Sequence, residues 1–578
     1  MLVERNVEAI MDDGVILRSV VYRPEAEAGQ RFPVLLTRTP YGQEGAGAPG
    51  YFNPVEVASS GYMVVVQDCR GRFSSEGSFS PSSFEVDDGF RSVEWAASLP
   101  QSDGQVAMWG RSYFAETQWR AALNRPRSLK ALALGVSAGG NANNGSLYRG
   151  GAVEFGSRFG WGHMTSLHEI QRKLSGKPAS QESDMEVWRT AEAQLSAGTL
   201  LDKLPMAKLS AVAGDFARRE IIPSLAEGPG ATAANTWDEA TNEPVDLPTL
   251  HVGGWFDIFL PSTLEQYQQQ LGRSRYIEGI NPRLVIGPWS HSNFSGLFPD
   301  KAFGLLASAA TLGSGKSIQS LHVAWFDAVL KSQPTALEGF PPVLLYLMGA
   351  NEWRGFKELP TPQTTRSWYL AEDGKLLDSP QGSGTNEYDY DPLDPVPTQG
   401  GATMLPGAYF PGPANQQGIE SRPDVITFTS DEFSEAEILF GTVKATLYVQ
   451  SSAPDTDFIA RLCVVNPAGI SHLLVDGITR ASWRGSIDEE GKFSSNIPRS
   501  LLDPQTVYEI TVGLWSTAYE VQPGDRLRLQ ITSSCHPRWD RNPNTGEVAY
   551  SASHPIVAHQ RIHSGHKYPS RITTGILN

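Results

Sequence analysis

The chain has 578 residues, more than one hydrophobic core usually supports, so several domains are expected. Hydrophobic residues make up 40% of it and charged residues 19%, which excludes a disordered chain. The net charge of −16 argues against nucleic acid as a partner, because neutralising phosphates requires a basic face.

The cysteine content and the N-terminus favour a cytoplasmic protein. Cys69, Cys463 and Cys535 are too few and too widely spaced for a disulfide framework, as expected in a reducing compartment. The opening MLVERNVEAIMDDG carries early acidic residues and no apolar run, so no signal peptide is expected. No stretch approaches about 18 uninterrupted apolar residues, so we expect no membrane span and no membrane partner.

Short apolar runs alternate with helical patterns between residues 33 and 140. The runs PVLLTR, YMVVVQD, QVAMWG and LKALALGVS are typical of parallel strands that are buried on both faces. Between them, Phe84, Phe90, Val93, Trp95 and Ala97 recur near helical spacing. The same alternation returns at LPTLHVGGWFD and NPRLVIGPWSH, and it predicts an open, doubly wound α/β sheet.

Two further regions depart from this alternation. Residues 145–240 contain helical patterns such as ESDMEVWRTAEAQLSAGTLLDKL and no strand signal, so we expect a helical lid inserted in the sheet domain. Residues 350–578 consist of strand-like segments separated by turn residues, which predicts an all-β sandwich or jelly roll. The sheet domain would then comprise residues 1–144 and 241–349.

The stretch MWGRSYFAETQ places Ser112 between an apolar strand pattern and a helical pattern. This context is typical of a nucleophile elbow, in which a sharp turn exposes the serine hydroxyl. The general motif has glycine two positions after the serine, whereas this chain has Phe114 there and Ala115 next. An ordinary turn serine is the alternative interpretation.

A serine nucleophile needs a histidine base and an acid that orients it, and in this fold the chain order is serine, acid, histidine. Asp257 follows the apolar run of LHVGGWFDIF, and His291 follows that of LVIGPWSHSN. Both positions lie where loops open at the carboxyl ends of parallel strands. Alternatively, Asp257 is a turn or capping residue and His291 caps a helix.

Other polar residues suggest weaker alternatives. His251 is interpreted as a core residue of a strand, His322 as a packing residue of a helix, and His163 as a lid residue that could only contact substrate. The tail AHQRIHSGHKYPS carries His559, His563 and His566 at a spacing that zinc could use, but we expect no metal. The remaining candidates are Gly135, Gly139 and Gly140, which lack a phosphate-loop signature, and Asp87 and Asp88, which favour a helix N-terminus.

Several motifs together resemble one hydrolase family. RTPYG, DCRGRFSSEG, GRSYFAETQW, GGWFDIF and GPWSHSN occur in order with the spacing of the cocaine esterase and X-Pro dipeptidyl-peptidase-like serine hydrolases. The segments DTDFIARLCVV, HLLVDGITRASWR and SSCHPRWDRNPNTG resemble that family's C-terminal jelly roll. The resemblance extends over nearly the whole chain, and it implies an α/β-hydrolase sheet with a helical lid and a C-terminal jelly-roll domain.

The resemblance also implies roles for individual residues. Ser112 matches the nucleophile, Asp257 the acid and His291 the base. Tyr41, in RTPY, matches a tyrosine whose hydroxyl binds the oxyanion, and the backbone N–H of Tyr113 would be the second donor. Without the resemblance, Tyr41 would be interpreted as a turn residue after a proline.

Four residues are expected to line the acyl pocket. Trp161 and Phe259 match aromatic positions of the family, and Met404 and Leu405 come from a jelly-roll loop. Leu405 stands where the family has an aromatic residue, so we expect a roomier or more aliphatic acyl site than a benzoyl pocket.

The expected activity is hydrolysis of carboxylic esters, with amides also open, through an acyl-enzyme intermediate and without a cofactor. Family members that act on α-amino-acid esters hold the substrate ammonium with carboxylates, but here Phe259 and Leu260 follow the acid. X-Pro dipeptidyl-peptidase activity, or acylase activity on amino-acid esters or β-lactams, is therefore the second hypothesis. A ligand-binding pseudo-hydrolase is the non-enzymatic alternative. The expected partner is a small-molecule ester or amide, and self-association stays open.

Overall fold

The computed structural model describes the chain except for residues 46–50, 82, 139–144, 146, 176–182, 230–244, 272–279, 314 and 495–496, and except for the side chains of Ser224 and Glu227. Gly139 and Gly140, considered above with Gly135, therefore lie outside the described residues.

Ten of the described strands form one mixed sheet. The strands up to residue 356 are β1 (Leu2–Ile10), β2 (Ile16–Arg23), β3 (Phe32–Thr39), β4 (Met63–Asp68), β5 (Ser102–Arg111), β6 (Leu129–Gly135), β7 (Tyr148–Arg149), β8 (Ala152–Val153), β9 (Thr249–Phe256), β10 (Arg283–Ser290), β11 (Val343–Leu347) and β12 (Glu352–Phe356). The order across the sheet is β1-β2-β4-β3-β5-β6-β9-β10-β11-β12. The strands from β4 to β11 in that order pair in parallel, and the edge strands pair antiparallel.

Helices cover both faces of this sheet. The helices of the described residues are α1 (Pro54–Ser59), α2 (Glu85–Ala97), α3 (Tyr113–Leu123), α4 (Phe155–Leu174), α5 (Ser183–Ser196), α6 (Asp215–Glu220), α7 (Ile222–Glu227), α8 (Leu260–Gln270), α9 (Ile318–Leu330) and α10 (Gln417–Glu420). Successive residues of a strand face opposite layers: Val65 packs with α2 and α3, whereas Val64 packs with α1 and α9. This confirms the predicted doubly wound α/β sheet, whose central strands are buried on both faces.

The buried side of α2 contains Val93, one of the residues at helical spacing, together with charged residues that this spacing does not reveal. Phe84 is exposed and precedes the helix, and the buried side includes Glu85 and Asp88. Asp88 bonds Arg70 at 2.6 Å and lies 3.8 Å from Arg38. The interpretation of Asp88 as a helix-dipole residue is therefore incomplete, because its carboxylate is the buried counter-charge of two arginines.

The stretch between β6 and β9 contains α4 to α7 above the carboxyl ends of the strands. Their apolar residues form a cluster with Phe79 and Tyr113 of the sheet domain. The expectation that this stretch holds no strand is wrong, because β7 and β8 pair as a two-stranded antiparallel hairpin.

The C-terminal part is built of antiparallel strands. These are β13 (Thr364–Leu370), β14 (Leu376–Leu377), β15 (Ser383–Tyr390), β16 (Ile426–Thr429), β17 (Glu437–Ser451), β18 (Asp457–Val465), β19 (Ser471–Arg480), β20 (Tyr508–Val521), β21 (Arg526–Thr532), β22 (Ala558–Gly565) and β23 (Arg571–Leu577). The described strands form a seven-stranded and a four-stranded sheet that share one core. Since β12 still pairs with β11, the change to this antiparallel architecture comes after Phe356.

The lid region and the antiparallel part meet in a buried charged cluster. Glu154, just before α4, accepts a hydrogen bond of 3.0 Å from Trp539 Nε1. Its second oxygen lies 3.7 Å from Arg538, which bonds Asp476 at 2.5 Å. All four side chains are buried, so these contacts fix the start of α4 against the β-rich part.

None of the described helices combines the length and the apolar character needed to cross a membrane.

Candidate active site

Ser112 lies on the sharp turn between β5 and α3. Its backbone adopts φ +59° and ψ −127°, a conformation that costs a residue other than glycine about 1–3 kcal/mol. The Ser112 N–H donates to the carbonyl of Gly135 at 2.8 Å, and the Ser112 carbonyl accepts from the N–H of Ala115 at 2.9 Å. This strand, turn and helix geometry is that of a nucleophile elbow.

Two glycines make the elbow sterically feasible although Phe114 replaces the usual glycine after the serine. A Cβ on Gly110, whose φ is +138°, would lie 2.5 Å from the Cβ of Phe114 and 3.0 Å from Thr37 Oγ1. A Cβ on Gly135 would lie 2.0 Å from the hydroxyl of Tyr51. Phe114 fits because Gly110 has no side chain at the point that the Phe114 side chain approaches.

Asp257 and His291 follow β9 and β10, and the structure brings both to Ser112. His291 Nδ1 lies 2.8 Å from Asp257 Oδ1, and His291 Nε2 lies 2.9 Å from Ser112 Oγ. Asp257 is fully buried, and its N–H donates to the carbonyl of Gly254 at 3.0 Å. The three side chains thus form one continuous chain of hydrogen bonds.

The donor and acceptor roles in these hydrogen bonds determine which nitrogen of His291 can act as a base. An ionised Asp257 can only accept, so His291 Nδ1 carries the proton and Nε2 is left to accept the proton of the Ser112 hydroxyl. The ring of Phe259 meets the imidazole of His291 edge-on, with 5.0 Å between centroids, and restricts its rotation. This arrangement can activate a serine for nucleophilic attack and return a proton to a leaving group.

Tyr41 follows β3 and, like Ser112, lines a cavity described below; its ring centroid lies 5.7 Å from that of Phe114. Trp161 Nε1 donates a hydrogen bond of 3.0 Å to the Tyr41 hydroxyl oxygen. Because an indole nitrogen is only a donor, the hydroxyl proton of Tyr41 stays available for another acceptor. Removal from water raises the pKa of Tyr41 to about 12, so its hydroxyl stays protonated at neutral pH.

Tyr113 is the first residue of α3, so its backbone N–H belongs to the N-terminal turn of the helix. N–H groups of this turn point along the helix axis toward its start, where the partial positive charge favours an anion. The Tyr113 hydroxyl donates a hydrogen bond of 3.1 Å to Glu85 Oε1. Of the two predicted oxyanion donors, the Tyr41 hydroxyl shares the cavity with Ser112. The Tyr113 N–H belongs to the residue that follows Ser112 in the chain.

A cavity of about 660 Å³ opens over Ser112 and His291. The residues predicted to bind the acyl group all contribute to its wall, namely Trp161, Phe259, Met404 and Leu405. The wall combines residues of the elbow, of helices α4 and α5 and of the segment 404–406.

Three charged residues of the wall went unrecognised in the sequence: Arg111, Arg158 and Glu192. Glu192 Oε2 lies 3.0 Å from Nε2 of His163, whose ring stacks on Trp188 at 4.7 Å. Burial lowers the pKa of Arg158 to about 10. Arg111 could have been recognised as a residue of the cavity wall because it precedes Ser112 in the sequence. Arg158 and Glu192 could not, because they lie on separate helices that meet only in the folded chain.

The histidines interpreted as packing residues are buried within their elements. His251 lies in β9 with Nε2 3.0 Å from Thr249 Oγ1, and burial lowers its pKa to about 3. His322 lies in α9 with Nδ1 2.8 Å from the carbonyl of Ile318, and burial lowers its pKa to about 4. Both are therefore neutral at physiological pH.

The histidines of the tail have other neighbours. His559 bonds the carboxylate of Asp389, and His563 Nδ1 lies 3.1 Å from Thr385 Oγ1. No group of three or more His, Cys, Asp or Glu side chains within the described part of the chain is arranged to hold a metal ion.

Comparison with known proteins gives matches over nearly the whole chain. A family model described as X-Pro dipeptidyl-peptidase (S15 family) matches residues 13–293. A second one, described as the X-Pro dipeptidyl-peptidase C-terminal non-catalytic domain, matches residues 335–573. Cocaine esterase of Rhodococcus sp. (strain MB1 Bresler) is 32% identical over 615 aligned positions, which cover 100% of this chain and 98% of the relative.

Solved structures share the fold at lower identity. An aminopeptidase from a marine sediment archaeon, Thaumarchaeota archaeon, aligns over 100% of this chain and 97% of its own, with a TM-score of 0.79 and 23% identity. An α-amino acid ester hydrolase aligns over 100% of this chain and 96% of its own, with a TM-score of 0.79 and 22% identity.

Proposed function

Because the chain belongs to the family of cocaine esterase and the X-Pro dipeptidyl-peptidases of type S15, we propose that it is a serine hydrolase that cleaves carboxylic esters through an acyl-enzyme intermediate. The observation that carries this proposal is the hydrogen-bond chain from Ser112 Oγ through His291 to Asp257, at 2.9 and 2.8 Å. A serine hydroxyl is a weak nucleophile by itself, and this chain supplies both the base and its orientation.

In the first half-reaction, Ser112 Oγ attacks the carbonyl carbon of the ester while His291 Nε2 takes the hydroxyl proton. The oxyanion that forms is bound by the hydroxyl of Tyr41 and the backbone N–H of Tyr113. When the tetrahedral intermediate collapses, the bond to the alcohol oxygen breaks and His291 gives its proton to that oxygen. Asp257 stays ionised and stabilises the imidazolium in between.

In the second half-reaction, a water molecule attacks the acyl-enzyme while His291 takes one of its protons. The same donors bind the second oxyanion. Collapse of this intermediate breaks the bond to Ser112 Oγ, which regains its proton from His291, and the carboxylic acid is released. The atoms balance with water as the sole co-reactant, so the scheme needs no cofactor.

The acyl group is proposed to lie against Trp161 and the segment 404–406. Two glycines of α4 allow this segment to approach closely: a Cβ on Gly156 would lie 2.4 Å from Leu405 Cδ2, and one on Gly160 would lie 2.9 Å from Pro406 Cγ. We expect an aliphatic wall of this kind to accept straight-chain acyl groups at least as well as benzoyl. Rates on butanoyl, hexanoyl and benzoyl esters of one alcohol test this, and a strong benzoyl preference would contradict it.

A substrate with a free α-amine is the second candidate. The residues that follow the acid, Phe259 and Leu260, are apolar and buried, which disfavours an ammonium group beside Asp257. Glu192 in the wall keeps amino-acid esters, β-lactams and X-Pro peptides as alternatives, although its carboxylate already faces His163. Rates on alanine and propanoic acid esters of the same alcohol separate the two candidates.

We also propose a division of labour along the chain. Residues 1–144 and 241–356 would form the catalytic unit, residues 145–240 its helical lid and residues 357–578 the jelly-roll unit; the last boundary moves from 349 to 356 because β12 pairs with β11. The positions of Trp161 and Leu405 in the cavity wall support roles for the last two in substrate binding. A cytoplasmic location without nucleic-acid partners is supported by three buried free cysteines and by the net charge of −16.

Labelling with a fluorophosphonate probe, combined with hydrolysis of a panel of aryl esters, tests the proposal. We expect the wild type to be labelled and Ser112→Ala to lose labelling, with kcat reduced by about 10⁴-fold or more. Ser59→Ala, an exposed serine of α1, is the control and should retain both. A wild type that is neither labelled nor active would favour the ligand-binding pseudo-hydrolase, and labelling that survives in Ser112→Ala would remove Ser112 from the scheme.

A further inference from the structure

Arg111, the last residue of β5, contributes a partly buried guanidinium group to the cavity wall next to Ser112. Among the described residues, its side chain makes no hydrogen bond and no ion pair. Its guanidinium carbon lies 5.6 Å from the centroid of the Phe294 ring. A guanidinium carries five N–H donors, so this group has unused capacity that faces the cavity.

Other buried arginines of the molecule have acceptors from the protein itself. Arg72 donates to the backbone carbonyls of Pro40 and Thr165. Several others meet carboxylates: Arg38 with Glu85, Arg70 with Asp88, Arg120 with Glu116, Arg480 with Asp457, and Arg538 with Asp476. Arg111 differs from these because the space in front of it is the substrate cavity.

The neighbours of Arg111 indicate which part of the substrate would meet it. Phe294 lies three residues after His291, and Ser292 of the same loop also lines the cavity. His291 returns its proton to the leaving alcohol, so the leaving group has to lie on the His291 side of Ser112. Trp161 bonds Tyr41 instead, on the side where the oxyanion would be held.

We propose that Arg111 binds a carboxylate on the alcohol portion of the substrate, so that the enzyme prefers esters of hydroxy acids over esters of neutral alcohols. This inference rests on the proposed ester hydrolysis at Ser112 and specifies its substrate class. Two N–H donors of a guanidinium match the two oxygens of a carboxylate, and such charge-assisted pairs are stronger than neutral hydrogen bonds.

The other charged groups of the wall are less suited to this role. Glu192 carries the same sign as the proposed ligand and is bonded to His163. Arg158 belongs to α4, where its guanidinium carbon lies 5.7 Å from the ring of Trp161, close to the oxyanion donor Tyr41. A carboxylate held by Arg158 would therefore lie on the acyl side of Ser112.

The experiment compares two matched substrates, 4-acetoxybenzoate and 4-acetoxybenzamide, and repeats the comparison with the 3-isomers. The leaving groups have the same size and differ in charge. For each enzyme the measured quantity is the ratio of kcat/KM on the anionic ester to that on the neutral ester, which does not depend on the fraction of active enzyme. The enzymes are the wild type, Arg111→Gln, Arg111→Lys and the control Arg127→Gln, which replaces an exposed arginine.

With either isomer, we expect Arg111→Gln to lower the ratio about tenfold or more relative to the wild type, as loss of a charge-assisted pair implies. Arg111→Lys should lower it less, and Arg127→Gln should leave it unchanged. A ratio that is the same in the wild type and in Arg111→Gln for both isomers overturns the inference. Hydrolysis of the neutral ester by the wild type tests the proposed function separately, so the two failures are distinguishable.

The protection of Ser112 from fluorophosphonate labelling gives a second readout that needs no turnover. The product alcohols 4-hydroxybenzoate and 4-hydroxybenzamide compete with the probe for the leaving-group side of the cavity. We expect the benzoate to protect the wild type at a lower concentration than the benzamide, and Arg111→Gln to lose this difference. Equal protection by both alcohols in the wild type would count against a carboxylate site at Arg111.

Discussion

At the scale of single residues, the hydrogen bond from Trp161 to Tyr41 determines the direction in which the Tyr41 hydroxyl can donate its proton. The indole nitrogen donates 3.0 Å to the tyrosine oxygen. The phenol therefore keeps its own proton for the cavity, and burial holds that proton on the oxygen by raising the pKa of Tyr41 to about 12. Trp161 would thus position a catalytic group as well as line the acyl pocket.

Two substitutions separate these roles. We expect Tyr41→Phe to lower kcat about 10²- to 10³-fold, because an oxyanion donor is worth about 3–4 kcal/mol. Trp161→Phe keeps an aromatic ring but removes one hydrogen bond of about 1 kcal/mol, so kcat should fall about fivefold. Steady-state kinetics on one ester measures both effects.

The double variant Tyr41→Phe, Trp161→Phe completes the comparison. If Trp161 acts through Tyr41, the double variant should be hardly slower than Tyr41→Phe alone. Effects of the two substitutions on kcat that multiply independently would contradict the positioning role and leave Trp161 as a pocket residue only.

The three residues proposed to carry the reaction could be singled out in the sequence because each follows an apolar strand pattern. Ser112, Asp257 and His291 each come directly after an apolar strand, and their order along the chain is the one this fold requires. Arg158 and Glu192 could not be identified in this way. They lie on α4 and α5, and only tertiary packing brings them to one wall.

At the scale of secondary structure elements, the elbow depends on the absence of a side chain at Gly110. We expect Gly110→Ala to destabilise the fold by more than the penalty for positive φ alone, which is about 1–2 kcal/mol, because the new Cβ would lie 2.5 Å from Phe114. The midpoint of thermal unfolding and the rate of fluorophosphonate labelling should both fall.

Gly104→Ala is the matched control for this prediction. Gly104 also has a positive φ, +88°, but a Cβ there has no atom within 4 Å. The Gly104→Ala variant should lose only the stability that corresponds to the positive-φ penalty, and its rate of fluorophosphonate labelling should stay unchanged. Equal destabilisation by the two substitutions would show that the contact with Phe114 relaxes without loss.

The elements themselves followed from the sequence more closely than the faces they bury. Parallel strands can be recognised in the sequence as uninterrupted apolar runs, because both faces of the sheet are covered by helices. Helix α2 illustrates the limit: Val93 is buried, but so are Glu85 and Asp88, because their carboxylates compensate Arg38 and Arg70. Such pairing joins residues that no local pattern connects.

At the scale of the whole molecule, the cluster of Glu154, Arg538 and Asp476 links the lid region to the β-rich part. We expect Glu154→Gln to lower the free energy of unfolding by about 3 kcal/mol, because it removes one partner of a buried charge. A shift of the urea or thermal midpoint measures the effect.

Glu387→Gln supplies the comparison for Glu154→Gln. Glu387 pairs with Arg561 on the surface, where both side chains are more than half exposed, and its loss should change stability by about 1 kcal/mol at most. Similar effects of the two substitutions would mean that burial adds nothing to the cluster.

Acid should destabilise the whole molecule through two buried histidines. In the unfolded chain both titrate near a pKa of about 6.5, whereas in the fold the pKa of His251 is lowered to about 3 and that of His322 to about 4. Between these values the unfolded chain binds more protons than the folded one, so stability is lost as the pH falls. Each histidine should contribute about 1.4 kcal/mol per pH unit.

Urea unfolding at pH 7, 6 and 5 measures this dependence. His251→Asn and His322→Asn should each reduce the loss of stability between pH 6 and pH 5 relative to the wild type. A variant with an undiminished pH dependence would show that its histidine is protonated within the fold.

The cavity wall is assembled from stretches that are far apart in the chain, with Ser112 on the elbow and Leu405 in the antiparallel part. Substitutions near Leu405 would change the proposed acyl site while the strands that precede Ser112, Asp257 and His291 stay intact. The type of reaction and the range of substrates would then depend on different parts of the chain. Descendants of one ancestral gene can diverge in the esters they consume while retaining a single chemistry.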